Sequence, residues 1–165
     1  MRRISLVLAL APLWVVSCRS SSVESPRPRA DAGPALRGPA VVLHPQGREA
    51  VTLRVEVART ERVRNRGLMF RRDLADTGGM IFVFARPGHY AFWMRNTLIP
   101  LDMVFIGADR RVVGIVRSAT PETDDPRDVP GEWLYVLEVN GGLTSRWGVR
   151  AGDPVDLVGV QPSYE

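Results

Sequence analysis

Lysine is absent from this chain, cysteine occurs once (Cys18), and there are two histidines, His44 and His89. Each scarcity removes something. A single cysteine forbids an intramolecular disulfide. Two histidines far apart in sequence make no ligand pair for a zinc site of the usual kind. After residue 41 there is no cysteine, and no serine stands in a Gly-x-Ser-x-Gly elbow, so nucleophilic catalysis lacks its ordinary parts. With no lysine, all 22 basic residues are arginine. The net charge of +4 and pI near 10.2 suggest a nucleic-acid partner. The positions of the charges argue otherwise. Six arginines and two acids precede residue 41, leaving 16 of the 22 arginines and 16 of the 18 acids from there onward. That region is formally neutral and offers no phosphate-binding face, so no nucleic-acid partner is expected.

What the chain does contain begins with an address. "MRRISLVLALAPLWVVSCRS" carries Arg2 and Arg3, then an uncharged run from Ile4 to Val16. The run is short of the ~20 apolar residues that span a bilayer. It ends in "VVSC", which has the form of a bacterial lipobox: branched residues, a small Ser17, then the cysteine that would receive diacylglycerol and become the mature N-terminus. Each buried acyl CH₂ contributes ~0.8 kcal/mol, and two or three palmitate-like chains hold a protein stably on a membrane. The reading is a lipoprotein signal peptide at 1–17 and a lipidated tether at 18–40, rich in Ser, Pro, Ala and Gly and without hydrophobic period. By resemblance to enteric lipoproteins, Arg19 rather than aspartate after the cysteine implies outer-membrane sorting, facing the periplasm.

At 165 residues, 45% of them hydrophobic, the chain has length for one domain at 41–165 with a real core. "VTLRVEVA" (51–58) alternates strictly, as a half-buried strand does. "GMIFVFA" (79–85) is apolar throughout, as a strand covered on both faces would be. "DMVFIGADRRVVGIV" reads as a hairpin turning at Gly107 to Arg110. "EWLYVLEV" (132–139) and "DPVDLVGV" (153–160) complete the strands. Thr60 is an N-cap for a short helix that Gly67 stops, and a second helix covers 143–147 before Gly148. Strands punctuated by Gly and Pro, with no βαβ rhythm, predict a mainly β, antiparallel sandwich or barrel of jelly-roll type.

Four ordered blocks, "RNRGLMFRRDL", "GGMIFVF", "FWMRNTLIPLDMVFI" and "YVLEVNGGLTSRWGVRAGD", resemble the family called domain of unknown function 192, over about residues 51–160. The resemblance implies a compact, mainly antiparallel β domain of jelly-roll or barrel type, often exported. It brings no established activity and no catalytic residues. The loop 118–131, "SATPETDDPRDVPG", departs from the family pattern.

Candidate chemistry rests on carboxylates. Asp102 and Glu138 each interrupt an apolar run, where an isolated ionised acid is costly. Each needs a partner, and Arg66, Arg95, Asn96 and Thr97 are the nearest candidates. One reading is a polar knot of Arg66, Asn96, Asp102 and Glu138 that fixes strand register. The other is a polar pocket for a ligand, with an acid available for proton transfer. Arg95 to Thr97 follow an aromatic strand, "YAFWM", expected to end near Pro100. His89 reads as a solvated turn residue. Met69, Met80, Met94 and Met103 raise copper(I) handling, although methionine commonly fills cores. Tyr90, Trp93, Trp133 and Trp147 would suit sugar stacking or burial, and Glu122, Asp124, Asp125 and Asp128 lack calcium-loop spacing.

The resulting expectation is a lipid-anchored envelope protein that binds a small molecule, glycan or envelope protein, without cofactor or metal. A small hydrolase using Asp102 or Glu138 is the alternative, and copper(I) handling the third. Anchoring is directly testable: Cys18→Ser should abolish acylation and leave unprocessed precursor in membrane fractions. Normal processing of that variant contradicts the lipobox.

Overall fold

A computed structural model describes residues 37–161. Cys18, the signal peptide and the tether up to residue 36 lie outside the described residues. Ala40, expected to end the tether, instead begins the first strand. The elements in chain order are β1 (Ala40–Leu43), β2 (Val51–Ala58), α1 (Glu61–Arg66), β3 (Gly78–Gly88), β4 (Leu101–Ile106), β5 (Val112–Ala119), β6 (Trp133–Asn140), α2 (Leu143–Trp147) and β7 (Val155–Val158). The seven strands form one sheet in the order β5-β4-β6-β3-β2-β1-β7.

Local chemistry accounts for most of these elements. In β2, Leu53 and Val55 are buried while Thr52, Arg54 and Glu56 face solvent. In β3, which lies between β6 and β2, the run from Gly79 to Phe84 is buried without a break. Met80, Phe82 and Phe84 face one core and Ile81 and Val83 the other. Thr60 caps α1 by accepting from the Val63 N–H at 3.4 Å, and Gly67 ends it with φ at +48°. The turn Gly107–Arg110 closes the β4–β5 hairpin, with Arg110 N–H donating to Gly107 O at 3.0 Å.

Mainly β with two short helices is what the sequence predicts. The antiparallel expectation needs one correction, because β2 and β3 pair in parallel. Their crossover, residues 59–77, holds α1, whose six residues are too few to show a helical rhythm in sequence. Between sandwich and barrel, the structure favours the barrel: one sheet curls until its two ends meet. Val112 N–H donates to Asp153 O at 3.0 Å, Gly152 N–H to Val112 O at 2.7 Å, and Val155 N–H to Arg110 O at 2.9 Å. The interior core draws on every strand, with Val41, Leu53, Ile81, Val104, Val112, Leu137 and Val155 among its members. The opposite face of β3, β4 and β6 carries a second core, covered by Leu68 just after α1 and by Phe92 and Met94.

Asp102 holds one edge of this arrangement. It is fully buried, and its carboxylate takes four donors. Oδ1 accepts from Ser118 N–H at 2.7 Å and Gly142 N–H at 2.9 Å. Oδ2 accepts from Thr144 N–H at 2.9 Å and Thr144 Oγ1 at 2.6 Å. Ser118, with φ at +47°, lies where the β4–β5 register slips between Leu101 and Met103. Gly142 begins α2 and has no side chain to cap it. One carboxylate therefore satisfies a β-bulge and a helix N-terminus together, which a neutral side chain cannot do. In Asp102→Asn an amide N–H would face donors, and urea melts should show a loss of at least about 2 kcal/mol. A change within about 0.5 kcal/mol would contradict this role.

Candidate functional site

A cleft of about 470 Å³ opens on the side of the sheet away from the interior core. One wall is α1 with the turn that follows it, from Glu61 to Met69. The other wall is the segment from His89 to Trp93, with Thr97 beyond it. The floor is Phe82, Phe84 and Glu138, from β3 and β6. A volume of this size is in the range of small-molecule sites.

The second wall is where sequence and structure part. "YAFWM" is not a strand of the sheet. Phe92 and Met94 are buried, but they pair with the loop 118–131. Phe92 and Arg127 exchange backbone bonds of 3.3 and 2.7 Å, and Met94 N–H donates to Thr123 O at 2.9 Å. Glu122 N–H donates to Thr97 O at 3.1 Å, and Arg95 Nε reaches Asp124 at 2.8 Å. The acid-rich loop thus braces the cleft wall. Among the described residues, no group of His, Cys, Asp and Glu is placed to hold a metal ion. The wall turns at Asn96, whose φ is +55°, and Asn96 O accepts from Phe70 N–H at 2.8 Å. Phe70 is itself at φ +65° with its side chain 60% exposed, an uncommon conformation for a bulky residue. The mutual bond fixes both turns.

The four residues expected to form a knot do not converge. Arg66 and Glu138 line the cleft, joined there by Thr97. Asn96 lies at the turn, its amide donating to Met69 Sδ at 3.9 Å. Arg95 points to solvent over Trp93, 5.9 Å from the ring centroid. Asp102 is on the other side of the sheet. In register Asp102 faces Val139 while Met103 faces Glu138, and adjacent residues of a strand point to opposite faces. His44 pairs with Asp156 at 2.8 Å, away from the cleft. Met80, Met94 and Met103 are buried in the second core, whereas Met69 reaches the cleft. Trp133 is buried, with the His89 ring edge-on to it at 5.1 Å.

Residues that sequence reasoning passed over supply much of the lining. Arg64 donates to Arg59 O and Val83 O, and its guanidinium lies over Phe84 at 5.2 Å. Phe84 in turn stacks on Tyr90 at 3.9 Å. No motif marks these residues; only the crossover between parallel strands brings α1 over β3.

Glu138 is the chemically distinctive group. Its side chain is 5% exposed, its neighbours in register are Met80 and Met103, and no described group donates to it. Gly79, beside it on β3, leaves no room for a side chain: an added Cβ would lie 2.7 Å from Glu138 O. Burial pushes the carboxyl from 4.5 up to about 8. Such a group favours its neutral, proton-donating form at neutral pH.

The linkage has a definite sign. Below pH 4.5 both folded and unfolded chains keep this proton; as pH rises to about 8 the unfolded chain has lost it and the folded chain holds it. Stability therefore falls across that window. Glu138→Gln should remove the fall, so wild type and variant match at about pH 4 while the variant is more stable at about pH 8, by on the order of a few kcal/mol. Denaturant melts with parallel pH dependence for both proteins would refute the burial.

A curled β domain with a buried carboxyl on the floor of a cleft is the class that fold and site define. The family model for DUF192, described as "Uncharacterized ACR", matches residues 41–157, and the chain belongs to this family. It is similar to a protein of unknown function from Novosphingobium aromaticivorans, at 44% identity and a TM-score of 0.69, covering 71% of this chain and 83% of that one. It is also similar to a Sinorhizobium meliloti protein provisionally named as a transcription regulator, at 36% identity and a TM-score of 0.71, covering 74% and 95%. No functionally curated protein matches the chain.

Proposed function

We propose that this DUF192 domain is a ligand-binding module of the bacterial cell envelope, held at the outer membrane by lipid on Cys18 and carried on the tether 18–40. Its binding site is the Glu138 cleft. The observation that carries the reading is a buried carboxyl, without a donor among the described residues, on the floor of an open cleft. A group of that kind costs the fold stability, and binding sites are where such costs are commonly kept. The mouth adds Arg66, exposed on α1, and Trp93, 41% exposed on the opposite wall. A nucleic-acid partner is not part of this reading, since arginines and acids balance from residue 41 onward.

One observation favours a second reading, a small hydrolase. A carboxyl that titrates near pH 8 in a cleft is suited to act as a general acid. Asp102 has no part in it, because its oxygens are occupied on the far face. Copper(I) handling is set aside because three of the four methionines considered are packed in the core.

Thermal-shift screening of the protein against sugars, peptides, metal ions and small acids tests the binding reading. A ligand at 100 times its Kd should add ~2.7 kcal/mol to stability, with NMR shifts confined to cleft residues. Turnover of a bound compound, lost in Glu138→Gln, would favour the hydrolase instead.

A further inference from the structure

We propose that the cleft takes a zwitterion: an organic ammonium seated against the Glu138 carboxyl among the aromatic walls, with its carboxylate or phosphate at Arg66. This rests on the cleft being a ligand site and specifies the chemistry of the ligand.

Several elements face Glu138. The strands beside it contribute Met80 and Met103, which carry no charge. Packed over it, α1 brings Glu61, Arg64 and Arg66, and the segment after β3 brings His89 and Tyr90. Arg64 is engaged with two backbone carbonyls, and the Tyr90 hydroxyl donates to Arg86 O at 2.9 Å. None of these groups donates to Glu138. The same floor and wall present Phe82, Phe84, Phe92 and Trp93, and an ammonium is attracted to aromatic faces while it pairs with a carboxylate. An incoming cation would therefore meet two favourable fields at once and turn Glu138 into its ionised form.

The mouth carries charges of both signs. Glu61 and Arg66 are exposed on α1 at the cleft, and Arg66, which makes no ion pair with a described residue, attracts an anionic group. An anion alone is welcomed by Arg66 but gives Glu138 nothing. A neutral sugar gives the carboxyl a hydrogen bond and leaves Arg66 unused. A molecule bearing both charges answers both ends. Amino-acid-like compounds and phospholipid headgroups share this chemistry.

Calorimetric titration of the full chain in detergent separates these cases. The probes are glycine betaine and phosphocholine, whose ammonium charge does not vary with pH, with tert-butylacetate and inorganic phosphate as partners lacking the cation. At least one zwitterion should bind, at least tenfold more tightly than its partner without the cation. Its affinity should rise as pH increases toward 8, by up to about tenfold per unit, with release of a proton. Glu138→Gln, which should fold stably, should lose that pH slope. Preference for betaine points to amino-acid-like ligands; preference for phosphocholine points to headgroups. The inference is overturned if neither zwitterion binds, if tert-butylacetate or phosphate binds as well, or if Glu138→Gln retains both affinity and slope. In the second case the cleft remains a ligand site with a different chemistry. The cleft reading itself falls when the broad screen also finds nothing.

Discussion

A carboxylate cannot lie inside an apolar sheet without donors unless it gives up its charge, and Asp102 and Glu138, two of the buried acids among the described residues, meet that constraint in opposite ways. Asp102 is supplied with four donors from β5 and α2, and so ties a bulge to a helix start. Among the described residues Glu138 is supplied with none, and burial raises its carboxyl toward the protonated form. The register between β4 and β6 places one on each face of the sheet. The first makes the edge of the barrel; the second makes the floor of a cleft.

The architecture around Glu138 follows from how the sheet is covered. Because β2 and β3 run parallel, their connection must cross the sheet, and it lays α1 over the face that carries Phe82 and Phe84. The antiparallel remainder leaves that face open beyond α1, and the segment 89–97 fills it only because loop 118–131 holds it there. The cleft is the gap between these two covers. Relatives sharing the fold at 44% and 36% identity give an independent frame for asking whether a buried acid recurs at the floor.

Much of this was legible in the sequence where the signal is local. Alternation marked β2, an unbroken apolar run marked β3, Thr60 and Gly67 bounded α1, and Gly107 to Arg110 marked a hairpin turn. β1 escaped notice because its four apolar residues, unlike the equally short β7, show no alternation. The parallel pairing was hidden by a helix of six residues. "YAFWM" has strand-like alternation, and Phe92 and Met94 are buried as that pattern implies, but its partner is a loop rather than the sheet. At the site, Asp102 and Glu138 look alike in sequence, each an acid within an apolar run. What separates them is register, a one-residue offset between strands far apart in sequence, and no local pattern encodes it. For the same reason Arg64 and the aromatic floor gave no sign of sharing a cleft.

Glu138 is a buried acid in an accessible cleft, with no partner among the described residues. Carbon-detected NMR titration of its carboxyl in the unliganded protein tests this most directly. A midpoint near 8, raised by burial, is expected. A midpoint at or below the ordinary glutamate value of 4.5 would show the group to be solvated or paired, and would leave the cleft without the unpartnered acid that ligand binding there requires.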